Sequence, residues 1–250
     1  MKTLKFFTLI LFPAIVLSCE SSSDEPGPPP PAADKCNTVS VPDLAMCFSF
    51  NGTANERIND DQATVNGPTL TTDRMGNADA AYLFDGVDDY ISLPNPSYQL
   101  NGSFTLSAWM FIDENTTLTS NVRLLDTRNS TFTPNNSLNI YYRPNFSQLV
   151  IAGIGVSRFT LDPNDLDQGN WFNLTVIYDA LESEEKVEVY LNGLQLNMTF
   201  DGFNGHTYAN EDIIIGARAD LVEVFNGKID DILLFDRAFE ESELVQLLAI

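Results

Sequence analysis

Few side chains in this sequence have the type and spacing for chemistry. His206 is the single histidine. A catalytic triad built on it would need a serine in a strained elbow, and no G-x-S-x-G segment occurs. One histidine also excludes a histidine metal cluster, and the cysteines are too few for a zinc site. Glu182-Ser183-Glu184-Glu185 gathers the carboxylates that glycoside hydrolysis uses, but it precedes Lys186 in a polar stretch and reads as a solvated hairpin tip. Binding chemistry is better represented. Sugars stack apolar C–H faces on aromatic rings and hydrogen-bond to Asn, Asp and Arg. Two segments carry those groups, Tyr141-Tyr142-Arg143-Pro144-Asn145-Phe146 and Phe203-Asn204-Gly205-His206-Thr207-Tyr208-Ala209-Asn210. They nominate Tyr142, Arg143, His206, Tyr208 and Asn210 as ligand-binding residues, since loops carry function more often than scaffold strands do. Strand alternation requires one of Tyr141 and Tyr142 to face the core.

The third chemical group is the thiol. Lys2 and Lys5 precede an apolar run from Phe6 to Leu17, which is too short to span a bilayer and fits the h-region of a signal peptide over residues 1–18. The run ends Val16-Leu17-Ser18-Cys19, which resembles the lipobox of bacterial lipoproteins, with Leu17 standing where a small residue is usual. The resemblance implies cleavage before Cys19 and lipid on its sulfur, with two or three acyl chains giving stable anchoring. The alternative is an ordinary secretory signal with a chance cysteine. Residues 19–43 read as a disordered tether containing Pro28 to Pro31. Asp24-Glu25, soon after the lipid cysteine, resembles the surface-export signal of Bacteroidota lipoproteins. An outer-membrane lipoprotein facing the cell exterior is the expectation, and a periplasm-facing one the alternative. With Cys19 lipidated, Cys36 and Cys47 remain as an even pair in an oxidising compartment, where a disulfide forms readily. The other possibility is two free thiols, with Cys47 buried in a strand.

The formal net charge is −22, and losing Lys2 and Lys5 with the signal makes the mature chain more acidic still. Such a chain is a poor partner for nucleic acid, whose phosphates demand Lys and Arg. The acidity keeps a surface protein soluble and says nothing of oligomeric state.

The elements that must position these groups are strands. Short apolar runs alternate with turn residues: Leu44–Phe50 before Asn51-Gly52, Ala80–Phe84 before Asp85-Gly86, and Ser103–Ile112 with Phe104, Leu106, Ala108, Met110 and Ile112 on one face. Trp109 and Phe111 fall on the other face, so that strand has apolar groups on both sides. Asn192-Gly193, between Leu191 and Leu194, is a strong hairpin signal because both turn positions need positive φ. One helix is expected near the C-terminus, where Glu240–Glu243 precede Leu244, Leu247 and Leu248 at helical spacing. The pattern predicts one all-β domain over residues 44–250, an antiparallel two-sheet jelly-roll sandwich with one short C-terminal helix.

Several segments, in this order, resemble the laminin-G-like, concanavalin A-like lectin and glucanase family. They are Leu83–Ile91 (LFDGVDDYI), Phe104–Trp109 (FTLSAW), Trp171–Asp179 with Val189–Gly193, Ile215–Arg218, and Phe225–Ile232 followed by Phe235–Phe239. The resemblance implies a sugar-binding or adhesion module. It also implies a structural calcium ion, which takes six to eight oxygens; the matching positions here are Asn51, Asp85, Asp230 and Asp231. Asp231 is in phase with Ile229 and Leu233 and is expected to point inward, unless it caps a turn or pairs with Arg74 or Arg218. The family's glucanases carry an E-x-D-x-x-E strand motif, and nothing in this sequence matches it. The expectation is therefore a non-catalytic carbohydrate-binding module of a membrane-anchored lipoprotein. A module that binds a cell-surface protein is the alternative, with a glycoside hydrolase third.

Overall fold

The computed structural model describes residues 34–38, 42–98, 100, 102–127, 137–153, 155–166, 168–180, 185–205 and 212–249, all within one compact unit, Pro31–Ile250. In chain order the strands are β1 (Leu44–Phe48), β2 (Thr64–Asn66), β3 (Thr69–Thr71), β4 (Ala81–Asp85), β5 (Tyr90–Leu93), β6 (Phe104–Phe111), β7 (Val122–Asp126), β8 (Asn139–Arg143), β9 (Gln148–Ala152), β10 (Val156–Thr160), β11 (Trp171–Asp179), β12 (Lys186–Leu191), β13 (Leu194–Gln195), β14 (Met198–Phe200), β15 (Ile213–Ile215) and β16 (Asn226–Phe235). A helical turn, α1 (Lys35–Thr38), precedes them and a short helix, α2 (Leu244–Leu248), ends the chain.

The strands form two antiparallel sheets. One runs β13-β12-β11-β6-β16-β4-β3, with β1 also on β16; the other runs β14-β10-β9-β8-β7-β15-β5-β2. Alternation decides which side chains fill the space between them. Phe104, Leu106, Ala108 and Met110 of β6 and Phe172, Leu174 and Val176 of β11 meet Ile140, Leu149, Ile151 and Phe159 in one core. The expected jelly-roll sandwich is present. The Asn192-Gly193 turn joins β12 to β13 with φ of 49° and 77°.

Tyr142 belongs to the same core and is only 4% exposed. Its ring cannot serve as a surface platform, contrary to its nomination from sequence. Residues two apart on a strand share a face, so with Ile140 turned inward Tyr142 follows it. Tyr141 takes the outer face instead.

Part of the outer face of the first sheet is covered. Leu233 and Phe235 of β16, Ile177 of β11 and Tyr190 of β12 pack under Phe239, Leu244 and Leu247. The helix start is held by Glu243, which accepts the Glu240 backbone N–H at 2.9 Å and pairs with Arg237 at 2.6 Å. Cys36 and Cys47 are bonded, with Cα atoms 5.7 Å apart, and they complete this cluster. The bond also draws α1 onto β1, and the adjacent Asp34 pairs with Arg57 at 3.0 Å.

A bulge in β16 overturns the expected phase of Asp231. Asp230 faces Trp109 and Leu233 faces Ser107, so Asp231 and Ile232 together oppose one residue of β6. Asp231 sits at φ 42°, a left-handed conformation suited to such a bulge. Beyond it the core face passes to Ile232 and Leu234, while Leu233 and Phe235 turn to the helix side. Ile229 and Leu233 therefore lie on opposite faces, and Asp231 is buried without entering the main core.

Candidate functional site

The part of the first sheet's outer face that α2 leaves open carries a cross-strand row. Leu83 of β4 lies opposite Lys228 of β16, Lys228 opposite Phe111 of β6, and Phe111 opposite Trp171 of β11. The Phe111 and Trp171 ring centroids are 5.8 Å apart, and the Lys228 ammonium stands 4.8 Å from the Phe111 centroid. Such neighbouring pairs are the unit of sheet stabilisation, yet Leu83 remains 41% exposed. Gly227 lets β16 pass close to Phe111: its φ is 142°, and a Cβ there would run into the Phe111 carbonyl.

Beside this row lies a cleft of about 370 Å³, walled by Leu83, Phe111 and Lys228 on one side and by Asp113, Asn115, Thr116 and Thr117 on the other, with Asn226 at its edge. The loop after β6 builds the second wall and is pinned. Asp113 Oδ1 accepts the Asn115 backbone N–H at 2.8 Å, and the Gln168 side chain donates to the Thr116 carbonyl at 3.0 Å. The volume falls in the range of small-ligand sites. The Phe111 ring offers an apolar face, with Trp171 beside it in the row; amides and hydroxyls offer both donors and acceptors, and Lys228 offers a cation. The other two described cavities, of about 20 Å³ each, are gaps in the core lined by residues such as Met110, Phe172 and Leu106.

The residues nominated from sequence fall elsewhere. Arg143 is half-buried on the outer face of the second sheet, its guanidinium 4.0 Å from the Phe146 ring centroid. Cys19, His206, Tyr208 and Asn210 lie outside the described residues. Trp171, Lys228 and Asn226 were not nominated. Phe111 had a signal as an apolar residue on the second face of its strand, while Trp171, Asn226 and Lys228 stood in segments that carry the family resemblance.

The four proposed calcium ligands do not converge. Asp85 lies opposite Asn226, and Asp230 is four residues further along β16, about 13 Å away at strand rise. Asp230 and Asp231 instead share Arg74, whose guanidinium reaches them at 2.8 and 2.7 Å and stacks 4.5 Å from the Trp109 ring centroid. Burial, then the Asp231 charge, pushes the Asp230 carboxyl up to about 8, against the pull of Arg74. Burial likewise raises Asp231. A guanidinium already occupies the place a cation would take, so this pair does not fit calcium. Asn51 sits in the loop after β1, where the next residue, Gly52, donates its N–H to the Asp79 carbonyl at 2.8 Å. Asp85 does have acidic neighbours: carboxylate oxygens of Asp85, Asp88 and Asp89 lie within 4.8 Å of one another. Burial and then the charges of Asp85 and Asp88 raise the Asp89 carboxyl, opposed by the Asp85 N–H that Asp89 accepts.

Known proteins agree with this architecture. Among solved structures, domain 4 of AbnA, a GH43 extracellular arabinanase from Geobacillus stearothermophilus, in complex with arabinotriose, is similar over 83% of this chain and 98% of its own, at 19% identity and a TM-score of 0.59. The botulinum neurotoxin serotype D ligand binding domain in complex with N-acetylneuraminic acid is similar over 83% of this chain and 50% of its own, at 11% identity and a TM-score of 0.59. The binding domain of botulinum neurotoxin DC in complex with rat synaptotagmin II gives 83%, 51%, 14% and 0.60 in the same order. At these identities the likeness is one of fold, and this chain spans about half of each neurotoxin domain. No curated protein sequence matches the chain. A family profile described as the Concanavalin A-like lectin/glucanases superfamily matches residues 85–245, and with that match across more than half its length the chain belongs to this superfamily.

Proposed function

We propose that the protein is a non-catalytic glycan-binding module, anchored through lipid on Cys19 at the outer membrane and facing the cell exterior, with its ligand seated in the cleft beside Phe111 and Lys228. The observation that carries the reading is the row Leu83–Lys228–Phe111–Trp171, left open where the rest of that sheet face is covered. An apolar C–H face of a sugar suits the Phe111 ring, and its hydroxyls suit Asn115, Thr116, Thr117 and Asn226. The non-catalytic reading is supported by the cleft wall, where Asp113 is the one carboxylate among the described lining residues, whereas glycoside hydrolysis uses two. Domains of similar fold are known in complex with arabinotriose and with N-acetylneuraminic acid, in keeping with a glycan ligand. We place the structural calcium expected for this family at Asp85, Asp88 and Asp89, whose three carboxylates would supply part of its oxygen shell.

A glycan array probed with wild type and with Trp171→Ala and Phe111→Ala variants tests the site. Loss of an aromatic stacking contact should weaken binding about tenfold, at the lower end of the roughly 1–3 kcal/mol that a ring contributes when it stacks on a nucleic-acid base. Unchanged binding in both variants would remove the cleft from consideration, and glycosidase activity on defined oligosaccharides would overturn the non-catalytic reading. Palmitate labelling lost in Cys19→Ala is the expected mark of the anchor; labelling that persists would refute it.

A further inference from the structure

The outer face of the second sheet holds two arginines of a different kind from the other described ones. Five described arginines are ion-paired: Arg57 with Asp34, Arg74 with Asp230 and Asp231, Arg123 with Glu223, Arg218 with Asp220 and Glu223, and Arg237 with Asp43 and Glu243. The remaining two, Arg143 and Arg158, form no ion pair among the described residues, in a chain with 35 acidic side chains. Both lie on one sheet face and both are held on aromatic rings. Arg143 stands 4.0 Å from the Phe146 centroid and Arg158 stands 4.8 Å from the Phe200 centroid.

The register explains the grouping. Arg123, Tyr141, Val150, Arg158 and Phe200 form one row across β7, β8, β9, β10 and β14. Arg143 is two residues along β8 from Tyr141, which puts its Cα about 12 Å from that of Arg158 by strand rise and strand spacing. At the far end of the row the Arg123 guanidinium stacks 4.0 Å from the Tyr141 centroid, but its charge is answered by Glu223. Phe146 is 61% and Phe200 50% exposed. Among the described residues the face thus presents two guanidinium forks with no carboxylate paired to them, each beside an exposed ring.

We infer that this face is a second ligand site, distinct from the cleft on the first sheet, and that its ligand is an acidic glycan whose sugar carboxylates pair with Arg143 and Arg158. A guanidinium fork matches a carboxylate in a bidentate geometry, and Phe146 and Phe200 offer surfaces for the apolar faces of the sugar rings. An acidic peptide would satisfy the charges and leave the rings without a matching flat face. The site does not require the cleft to bind anything.

The test compares immobilised oligogalacturonate, oligoguluronate and heparin oligosaccharides with the fully methyl-esterified oligogalacturonate and with poly-glutamate, using the purified full chain. The expected result is retention of at least one acidic glycan, weakened by raised salt. Esterification, where oligogalacturonate is the ligand, or Arg143→Gln or Arg158→Gln, should weaken it about tenfold or more per guanidinium, as charge-assisted hydrogen bonds imply. Trp171→Ala should leave this binding unchanged, which separates it from the cleft. The inference is overturned if no acidic glycan is retained, if the ester binds as well as the acid, if poly-glutamate binds equally well, or if the arginine variants bind like wild type while their thermal melts match it.

Discussion

Replacing Arg74 by Leu tests the buried charge cluster most directly. The guanidinium is 7% exposed and meets two carboxylates that are 2% and 3% exposed, at 2.8 and 2.7 Å. Removing it leaves two buried carboxyl groups side by side with their main counter-charge gone, so that neither can ionise without an unanswered charge. Breaking a buried pair in this way costs about 3–5 kcal/mol, and the lost stacking on Trp109 adds up to about 1–2 kcal/mol. The loss must depend on pH. The folded-state carboxyl of Asp230 is raised to about 8 from 3.8, so the folded protein holds a proton that the unfolded chain releases as pH rises through that window. Stability contributed by this group is therefore present at low pH and falls as pH rises from about 4 towards 8. Without Arg74 the fall steepens, because nothing offsets the second charge. Urea unfolding of both proteins at pH 4.5 and pH 7.5 measures the difference. A loss below about 1 kcal/mol at pH 7.5, or the same loss at both pH values, would refute the account. Asp230→Asn in the intact background should flatten the pH dependence, since it removes one of the two like charges.

Three further outcomes follow from the geometry. Cys36→Ser should lower stability by about 3 kcal/mol, from chain entropy for a bridge spanning 11 residues, and reduction of the wild type should do the same; melts in the presence and absence of reductant measure it. Tyr142→Ala should destabilise the fold by about 3–5 kcal/mol as a large core truncation, whereas Tyr141→Ala should cost far less while disturbing ligand retention on the second sheet's outer face; equal stability losses would contradict the assignment of faces. Calcium should raise the melting temperature of wild type and chelator should lower it, with both shifts abolished in Asp89→Asn; no shift in the wild type would remove the cation from Asp85, Asp88 and Asp89.

Much of the fold was legible because alternation is local information. Phe104, Leu106, Ala108 and Met110 fall two apart, and all four enter the core. Asn192-Gly193 demanded positive φ at both positions and has it. Leu244 and Leu247 marked a helix face that packs down on the sheet. The phase of Asp231 was misjudged because period-two reasoning assumes an unbroken strand, and one inserted residue reverses every side chain after it; the pairing with Arg74 was among the alternatives the sequence offered, and it is the one the structure takes. Tyr142 was misjudged because two adjacent tyrosines make the two phases look alike. The sequence alone left the choice of inward ring open, and the burial of Tyr142 in the core settles it.

The candidate site divides in the same way. From sequence alone come the polar and aromatic inventory, the acidity that disfavours nucleic acid, an even pair of cysteines whose bond the structure supplies, and the presence of Phe111 on the unexpected face of its strand. Those properties reside in residue types and in spacings of a few residues. Tertiary structure alone decides that Leu83, Lys228, Phe111 and Trp171 stand in one row, since they come from four strands and only register brings them together. It also decides that Arg74, 156 residues from Asp230, takes the charge that a cation was expected to meet. Pairing across such distances is set by which strands lie side by side, and strand order is a property of the whole folded chain.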